Sequence, residues 1–455
     1  MGEELRALAR FVGDLRLETV PDDVVRAARF CVLDTLGSAL GATRSREIRA
    51  ITAKMEDWSG AGKNRRLASA WGQGTRTSLN NAVLVNGMLS HELELDDVHT
   101  ASKSHVGAVV VPAAWTVADA MDMGGKELLE AVIAGYEVMG RVGRAMDVVS
   151  NRKRGWHTTG VIGTFGAAAA AAKLWGLTEQ ETVNAFGIAG TQSSGLWAFL
   201  AEGATCKKLH PARAALNGVT ACLLAESGMT GAEHILDAAD GGLYQAVSDR
   251  YDMARLVEGL GEGYEIMKVD KKPYPCCRTT HHAIDGALQL REEGVLPEQI
   301  QSVLVETYEV GVLQCGFPEY PNSPVEAKFS IPFTCAAAFV RGHVGLPEFS
   351  QEVLDDPHAR RIAQATTVRE APLFSQRYPG RWGSRVTVTL KDGSTRVCQV
   401  DDMSGSVAKP LTARQEEEKF RSLAQVWDSG RVEELLDTVM QLEQQKRLPD
   451  LSGTK

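Results

Sequence analysis

The chain has 455 residues, of which 44% are hydrophobic and 24% are charged. This composition is typical of globular proteins rather than of disordered or membrane-spanning chains, and the length predicts two domains or one large domain with a substantial second lobe. The formal net charge of −9 argues against a nucleic-acid partner, because such proteins usually carry a basic stripe. Any anionic ligand must therefore meet a local cluster of cations.

The amino-terminal residues predict a first helix rather than a secretion signal. Acidic residues begin at Glu3 and apolar residues then recur at helical spacing, whereas a signal peptide begins basic and continues apolar. The longest alanine run, at 167–172, is far shorter than the roughly 20 apolar residues of a membrane span. We therefore expect a cytoplasmic protein with no membrane partner.

Eight cysteines are scattered along the chain, and none belongs to a CxxC pair. This pattern favours reduced thiols over disulfides, structural zinc or an iron–sulfur cluster. The sequence also lacks a phosphate-binding glycine loop and a nicotinamide fingerprint. We expect neither a metal nor an organic cofactor.

Residues 1–266 predict an all-helical domain, because apolar residues recur every three or four positions. Segments 126–149 and 160–176 predict long helices in this domain. The second of them is so rich in alanine and glycine that we expect it to be buried on nearly every face.

Residues 267–404 predict a smaller α+β domain. Residues 301–310 alternate like a half-buried strand, and 384–401 predict two strands around Asp392-Gly393. Segment 324–342 has helical spacing, which Pro332 should kink or interrupt. Residues 405–455 predict a helical segment that returns to the helical domain. The predicted fold class is therefore mainly α with an α+β part.

Four segments combine histidine, lysine or arginine with small or turn-forming residues, as an anion-binding cleft requires. The first, HELELDDVHTASKSHVGAVVVPAAW at 91–115, places four acids beside three histidines and Lys103. Taken alone, it favours a solvated, salt-bridged helix end over a site. No single face of it gathers the three or four ligands of a usual metal site.

The second segment, GWHTTGVIGTFGAAAAAA at 155–172, places His157 at the mouth of a buried helix. A substrate carboxylate could dock on the unpaired N–H groups there. Alternatively, Thr158 or Thr159 caps the helix while His157 packs on Trp156. The sequence leaves both interpretations open.

The third segment, EGATCKKLHPARAALNG at 202–218, directs Lys207, Lys208 and His210 toward the start of another helix, although alone it favours a solvated loop. The fourth, MKVDKKPYPCCRTTHHAIDGAL at 267–288, has two prolines that fix an extended turn before the next helix. Cations and histidines surround that turn: Lys272, Arg278, His281 and His282. We interpret its adjacent cysteines as structural or pocket-lining.

Together these segments resemble the MmgE/PrpD family, which includes 2-methylcitrate dehydratases, cis-aconitate decarboxylases and an iminodisuccinate epimerase. The resemblance extends from the first helix to about Val400. It is carried by VLDTLGSALGA (32–42), NGMLSHELELDD (86–97), SHVGAVVVPAAW (104–115), the second segment, the turn at 207–210, KPYPCCRTTHHAID (272–285) and EAKFSIPF (326–333). It implies a large helical domain, a smaller α+β domain, a homodimer and an active site between the domains.

The resemblance also implies which residues form the site. The decarboxylase pattern matches four positions, which we assign as catalytic: His105, His157, Lys207 and Lys272. Similarity to the epimerase adds Tyr136 as a substrate-binding residue. Four more residues of the motifs are assigned to substrate binding: Glu94, Cys277, Arg278 and His281. Glu94 stands where an aspartate is common, Cys277 where the decarboxylase has a histidine, and Phe333 where it has a tyrosine.

The family chemistry places negative charge on a carbon next to a carboxylate. Lys207 and Lys272 would hold substrate carboxylates while His105 and His157 exchange protons, with the acid and the base left open. We expect a lyase that dehydrates a 2-methylcitrate-like hydroxy acid. The alternatives are epimerisation, decarboxylation, or a non-catalytic binding protein on the same fold.

Overall fold

The structure, a computed structural model, describes residues 2–58 and 67–453. The chain divides into two compact units. The first comprises Met1–Ala198, Cys206–Val269 and Thr412–Lys455, and the second comprises Phe199–Thr205 and Asp270–Leu411. A large helical unit and a smaller α+β unit confirm the predicted fold class.

Helices dominate the first unit. They are α1 (Glu3–Asp14), α2 (Asp22–Gly41), α3 (Arg46–Trp58), α4 (Leu79–Glu92), α5 (Gly107–Ala120), α6 (Gly125–Arg144), α7 (Val148–Lys153), α8 (Thr158–Trp175), α9 (Glu179–Gly190), α10 (Leu209–Glu226) and α11 (Leu243–Val247). Across the described residues, none of the helices combines the length and apolar character that a bilayer crossing requires.

Helix α8 lies at the centre of the first unit and packs against α5, α6, α9 and α10. It is buried along nearly its whole length, which confirms the expectation from its alanine and glycine content. Small side chains allow this close packing, because neighbouring helices can approach a glycine or alanine more closely than a larger residue. The start of α8 is thereby held deep in the unit.

The first unit is not entirely helical, which corrects the prediction of an all-helical domain. Strands β1 (Leu67–Ala70) and β2 (Thr75–Ser78) pair antiparallel. The turn between them is anchored by the C-terminal segment, because the Gly72 and Gly74 N–H groups donate to the carbonyls of Leu451 and Ser452. This tertiary contact is invisible to a local sequence pattern.

The remaining strands are short or belong to one sheet. They are β3 (Val98–His99), β4 (Val269–Asp270), β5 (Ile300–Thr307), β6 (Thr366–Glu370), β7 (Ser384–Leu390) and β8 (Thr395–Val400). The sheet of the second unit has the order β6-β5-β7-β8, with β5 parallel to β6 and the other neighbours antiparallel. The β7–β8 hairpin confirms the prediction around Asp392-Gly393, where Gly393 has a φ of 83°.

The helices of the second unit are α12 (His281–Glu292), α13 (Glu309–Cys315), α14 (Pro324–Ala327), α15 (Ile331–Arg341), α16 (Gln351–Leu354), α17 (Pro357–Gln364) and α18 (Pro372–Ser375). Helix α12 packs on β7 and β8, and α15 packs on α12 and α17. Segment 324–342 is interrupted as predicted, and Pro332 lies in the first turn of α15.

The last two helices, α19 (Ala413–Asp428) and α20 (Val432–Met440), belong to the first unit. Helix α19 packs along α2, where Phe420 and Ala424 join the buried core. Lys419 on this helix donates to Asp34 at 2.6 Å and to the Leu95 carbonyl at 2.8 Å. The C-terminal helices thereby tie down the loop that follows α4.

Candidate active site

The loop after α4 carries a buried group of charged side chains. His91, Asp96, Asp97 and His99 are at most 1% exposed, and Glu94 is 6% exposed. This corrects the interpretation of the segment as a solvated helix end. Burial of ionisable groups is costly unless they contact one another, so their contacts define the site.

The same loop contains unusual backbone conformations. Glu94 has a φ of 58° and Lys103 a φ of 51°, both in the left-handed region that disfavours residues with long side chains. Such conformations persist only where surrounding contacts impose them, and they concentrate at functional sites. Contacts with the surrounding protein therefore hold the loop in a backbone conformation that Glu94 and Lys103 disfavour.

Lys207 reaches this loop from just before α10. Its Nζ forms an ion pair with the Glu94 carboxylate and lies 2.9 Å from His91 Nε2. Lys208 pairs with Glu92 at 2.6 Å. Both lysines are buried, which corrects the interpretation of segment 202–218 as a solvated loop.

His157 is the N-cap residue immediately before α8, as the helix-entrance interpretation requires. The threonines after it do not cap the helix. Thr158 Oγ1 donates to Asn151 at 3.1 Å, and Thr159 Oγ1 accepts the His105 backbone N–H at 3.1 Å. The start of α8 therefore positions His157 and His105 together.

Four histidines form one cluster in the first unit. The ring centroids of His91 and His105 are 4.5 Å apart, those of His105 and His157 are 6.1 Å apart, and those of His157 and His210 are 5.1 Å apart. The ring of Trp197 packs on His157, with the two centroids 5.2 Å apart. The structure thus brings together His105, His157, Lys207 and Glu94.

The environment of the cluster keeps two of its rings neutral. Burial, reinforced by the neighbouring His210 and Lys207, holds the pKa of His157 well below 6.5. Burial and Lys207 lower the pKa of His210 to about 4. The two rings meet at 2.9 Å between their Nδ1 atoms, and in the neutral state one can donate to the other.

The His210 pKa predicts a pH dependence of stability. An unfolded histidine titrates near 6.5 and folded His210 near 4, so the unfolded chain takes up the proton first as the pH falls. The contribution of neutral His210 to the free energy of unfolding is therefore complete above about pH 6.5. It is lost as the pH falls toward 4, by on the order of 3 kcal/mol. Denaturant unfolding at several pH values should show a weaker acid dependence for His210→Asn than for wild type. Identical slopes would contradict this assignment.

Tyr136 contacts the same loop through Asp97. Its hydroxyl donates to Asp97 Oδ2 at 2.5 Å, while Asp97 Oδ1 accepts the Gly107 N–H at 2.8 Å. A Cβ at Gly107 would lie 2.8 Å from the Tyr136 hydroxyl, so only glycine permits this approach. In this arrangement Tyr136 supports the loop; its assignment as a substrate-binding residue stays a prediction.

The other candidate residues lie in the second unit, near the start of α12. Lys272 is fully buried and Arg278 is 3% exposed. Arg278 donates to Asp270 at 3.2 Å and to His281 Nδ1 at 2.9 Å. Burial, Arg278 and Lys272 hold the pKa of His281 well below 6.5, so this ring is neutral.

The adjacent cysteines of the second unit lie in this buried region. Cys277 Sγ accepts a hydrogen bond from Gln314 Nε2 at 3.1 Å. Burial raises the pKa of Cys276 to about 12, which removes its thiolate at neutral pH. These properties support the interpretation of the pair as structural or pocket-lining.

One group of metal-ligand type lies within the part of the chain that the structure describes. The ligand atoms of His91, Asp96 and His105 lie within 4.8 Å of one another, a clustering that the sequence did not reveal. The Lys207 ammonium, 2.9 Å from His91, would repel a divalent cation there. Contacts within the protein already account for the arrangement, and we assign no metal to it.

Two domains of one protein family match this chain. The MmgE/PrpD N-terminal domain matches residues 6–256, and the MmgE/PrpD C-terminal domain matches residues 274–444. The chain belongs to the MmgE/PrpD family. The match covers both units, in agreement with the resemblance found in the sequence motifs.

Curated relatives within the MmgE/PrpD family align over nearly the whole chain. A cis-aconitate decarboxylase-like protein, oryM, of Aspergillus oryzae is 28% identical over 97% of this chain and 95% of its own length. Cis-aconitate decarboxylase of Aspergillus terreus is 28% identical over 98% and 94%, respectively. The human enzyme of that name is 28% identical over 96% and 91%.

Two residues of this site, His91 of the histidine cluster and the neighbouring Asp96, were not among the residues assigned from the sequence. Both lie in the first segment, but dense charge after a helix is normally solvated. The one available signal was His91 five residues before Asp96 at the end of an apolar helix. Its meaning depends on Lys207, more than one hundred residues away in the chain, which contacts His91.

Proposed function

We propose that this protein is a lyase that acts on a small polycarboxylic acid, and that it decarboxylates a substrate of the cis-aconitate type. The observation that supports this is the buried cluster in which His105, His157 and Lys207 converge. A lysine ammonium can hold a carboxylate, and histidines can move protons at neutral pH. The curated relatives, which are decarboxylases by name, favour decarboxylation over dehydration.

In the proposed reaction a carbon–carbon bond to one carboxylate breaks, and carbon dioxide leaves. The electron pair stays on the substrate carbon, where the adjacent unsaturated carboxylate delocalises it. A histidine of the cluster then donates a proton to carbon and recovers one from solvent. Lys207 stabilises the negative charge as it develops.

Family membership alone leaves the reaction type to experiment. The sequence-based expectation was dehydration of a 2-methylcitrate-like acid, with epimerisation as a further outcome on the same scaffold. All three begin with negative charge on carbon beside a carboxylate and differ in which bond breaks. The Lys272 assignment likewise stays a prediction from the resemblance.

A substrate panel read by NMR in deuterated water separates these outcomes. We expect cis-aconitate to lose carbon dioxide and its product to carry one solvent deuterium at the protonated carbon. Citrate, 2-methylcitrate and iminodisuccinate serve as comparisons. Water loss from 2-methylcitrate, deuterium exchange without net change in iminodisuccinate, or binding with no turnover at all would each contradict the proposal in favour of its respective rival.

A further inference from the structure

A single carboxylate oxygen joins two histidines of the cluster. Asp96 Oδ2 lies 2.9 Å from His91 Nδ1 and 2.9 Å from His105 Nδ1. Asp96 and His91 are essentially inaccessible to solvent. Because water does not separate these groups, the protons on the two rings are set by the protein contacts around them.

The contact with Lys207 fixes the proton on His91. A lysine ammonium can only donate hydrogen bonds, and its Nζ lies 2.9 Å from His91 Nε2. Glu94 pairs with the same ammonium, and its Oε1 lies 3.3 Å from His91 Nε2, which is longer than an ordinary hydrogen bond to that nitrogen. His91 Nε2 must therefore accept, and the single proton of the neutral ring lies on Nδ1, from which it donates to Asp96.

The same oxygen then determines the state of His105. His105 Nδ1 lies 2.9 Å from this carboxylate oxygen as an ion-pair contact without the alignment of a hydrogen bond, and the carboxylate charge attracts an N–H at that position and repels a lone pair. The proton of the neutral ring is therefore favoured on Nδ1, which leaves the lone pair on Nε2. A protonated His105 would in addition gain the negative charge of Asp96 as a neighbour.

We propose that Asp96 is a positioning residue that holds His105 as one of the two proton carriers of the cluster, with Nε2 as its reactive atom. His91 contacts both Asp96 and Lys207. The Lys207 ammonium, which holds the substrate, therefore also stabilises the tautomer of His105 through His91 and Asp96. This inference rests on the proposed function for its catalytic meaning. It resolves which atom of His105 exchanges the proton.

Nitrogen-15 NMR of histidine-labelled protein at pH 8 tests the assignment in the resting protein. The method distinguishes a protonated from an unprotonated ring nitrogen, and His91→Gln and His105→Gln identify the two signals. We expect both rings to carry the proton on Nδ1. A proton on Nε2 of either ring would overturn the proposal.

Substitution of the carboxylate tests its consequence. Asp96→Asn should change the tautomer of at least one ring and lower kcat about a hundredfold or more, with KM changed far less. Asp96→Glu retains the carboxylate and should recover part of kcat. Asp97→Asn is the matched control, because Asp97 contacts Gly107 and Tyr136 and should leave both tautomers as in wild type.

Two further results would overturn the inference. Equal kcat in Asp96→Asn and wild type would show that the carboxylate does not position the proton carrier. Loss of turnover on chelation, restored by one divalent metal, would show that His91, Asp96 and His105 bind an ion instead. If wild type turns over none of the panel acids while the NMR shows the expected tautomers, the proposed function fails and the tautomer assignment stands.

Discussion

Replacement of His157 by glutamine should lower kcat by about a hundredfold to ten-thousandfold, the usual contribution of general acid–base assistance. Glutamine is polar and of similar reach, but it cannot transfer a proton. His157 is buried and neutral, it immediately precedes α8, and it lies beside His105 and His210. Steady-state kinetics should show a much smaller change in KM than in kcat.

The melting temperature of His157→Gln should stay close to that of wild type, because the glutamine amide can still contact His210. His234→Gln is the matched control, since His234 is half-exposed and its ring pairs with Asp237 at 3.1 Å. A folded and fully active His157→Gln protein would contradict this prediction and would show that His105 alone carries the proton. Unfolding of the variant would indicate a packing histidine.

Lys207→Met should abolish measurable turnover and also destabilise the protein. Lys207 forms a buried ion pair with Glu94, and removal of one partner from such a pair typically costs about 3–5 kcal/mol. Methionine keeps most of the side-chain volume but provides no charge for a substrate carboxylate. Denaturant unfolding and single-turnover assays should both register the change.

The double variant Lys207→Met/Glu94→Gln separates the loss of turnover from the loss of stability. Without the Glu94 charge, much of the lost stability should return, because no carboxylate is then buried beside the methionine. Activity should not return, since the cation is still absent. Recovery of activity together with stability would contradict the assignment of Lys207 to substrate binding.

Periodic sequence patterns predicted much of the fold. The buried α8, the β7–β8 hairpin and the interruption before α15 follow from spacing, turn residues and proline. Strand β5 was placed correctly but ends at Thr307, because Glu309 starts helix α13. The β1–β2 hairpin was missed because each strand has only four residues and its turn depends on contacts with Leu451 and Ser452.

The candidate site was predictable in its residue types but not in its burial. His105, His157 and Lys207 came from motif resemblance, and the structure brings them together. Sequence patterns do not reveal how far the charges after α4 lie from solvent, because that depends on α8, α10 and α19 packing around them. The link from Lys207 through His91 to Asp96 joins distant parts of the chain, which no local pattern encodes.

A crystal structure with bound tricarballylate, a saturated tricarboxylate that cannot undergo the proposed decarboxylation, is the most direct measurement of where a substrate lies. We expect one carboxylate within hydrogen-bond distance, about 3 Å, of Lys207 Nζ, and the carbon chain beside His105 Nε2. Binding of the ligand away from the histidine cluster, with Lys207 still contacting only protein groups, would contradict the assignment of this cluster as the active site.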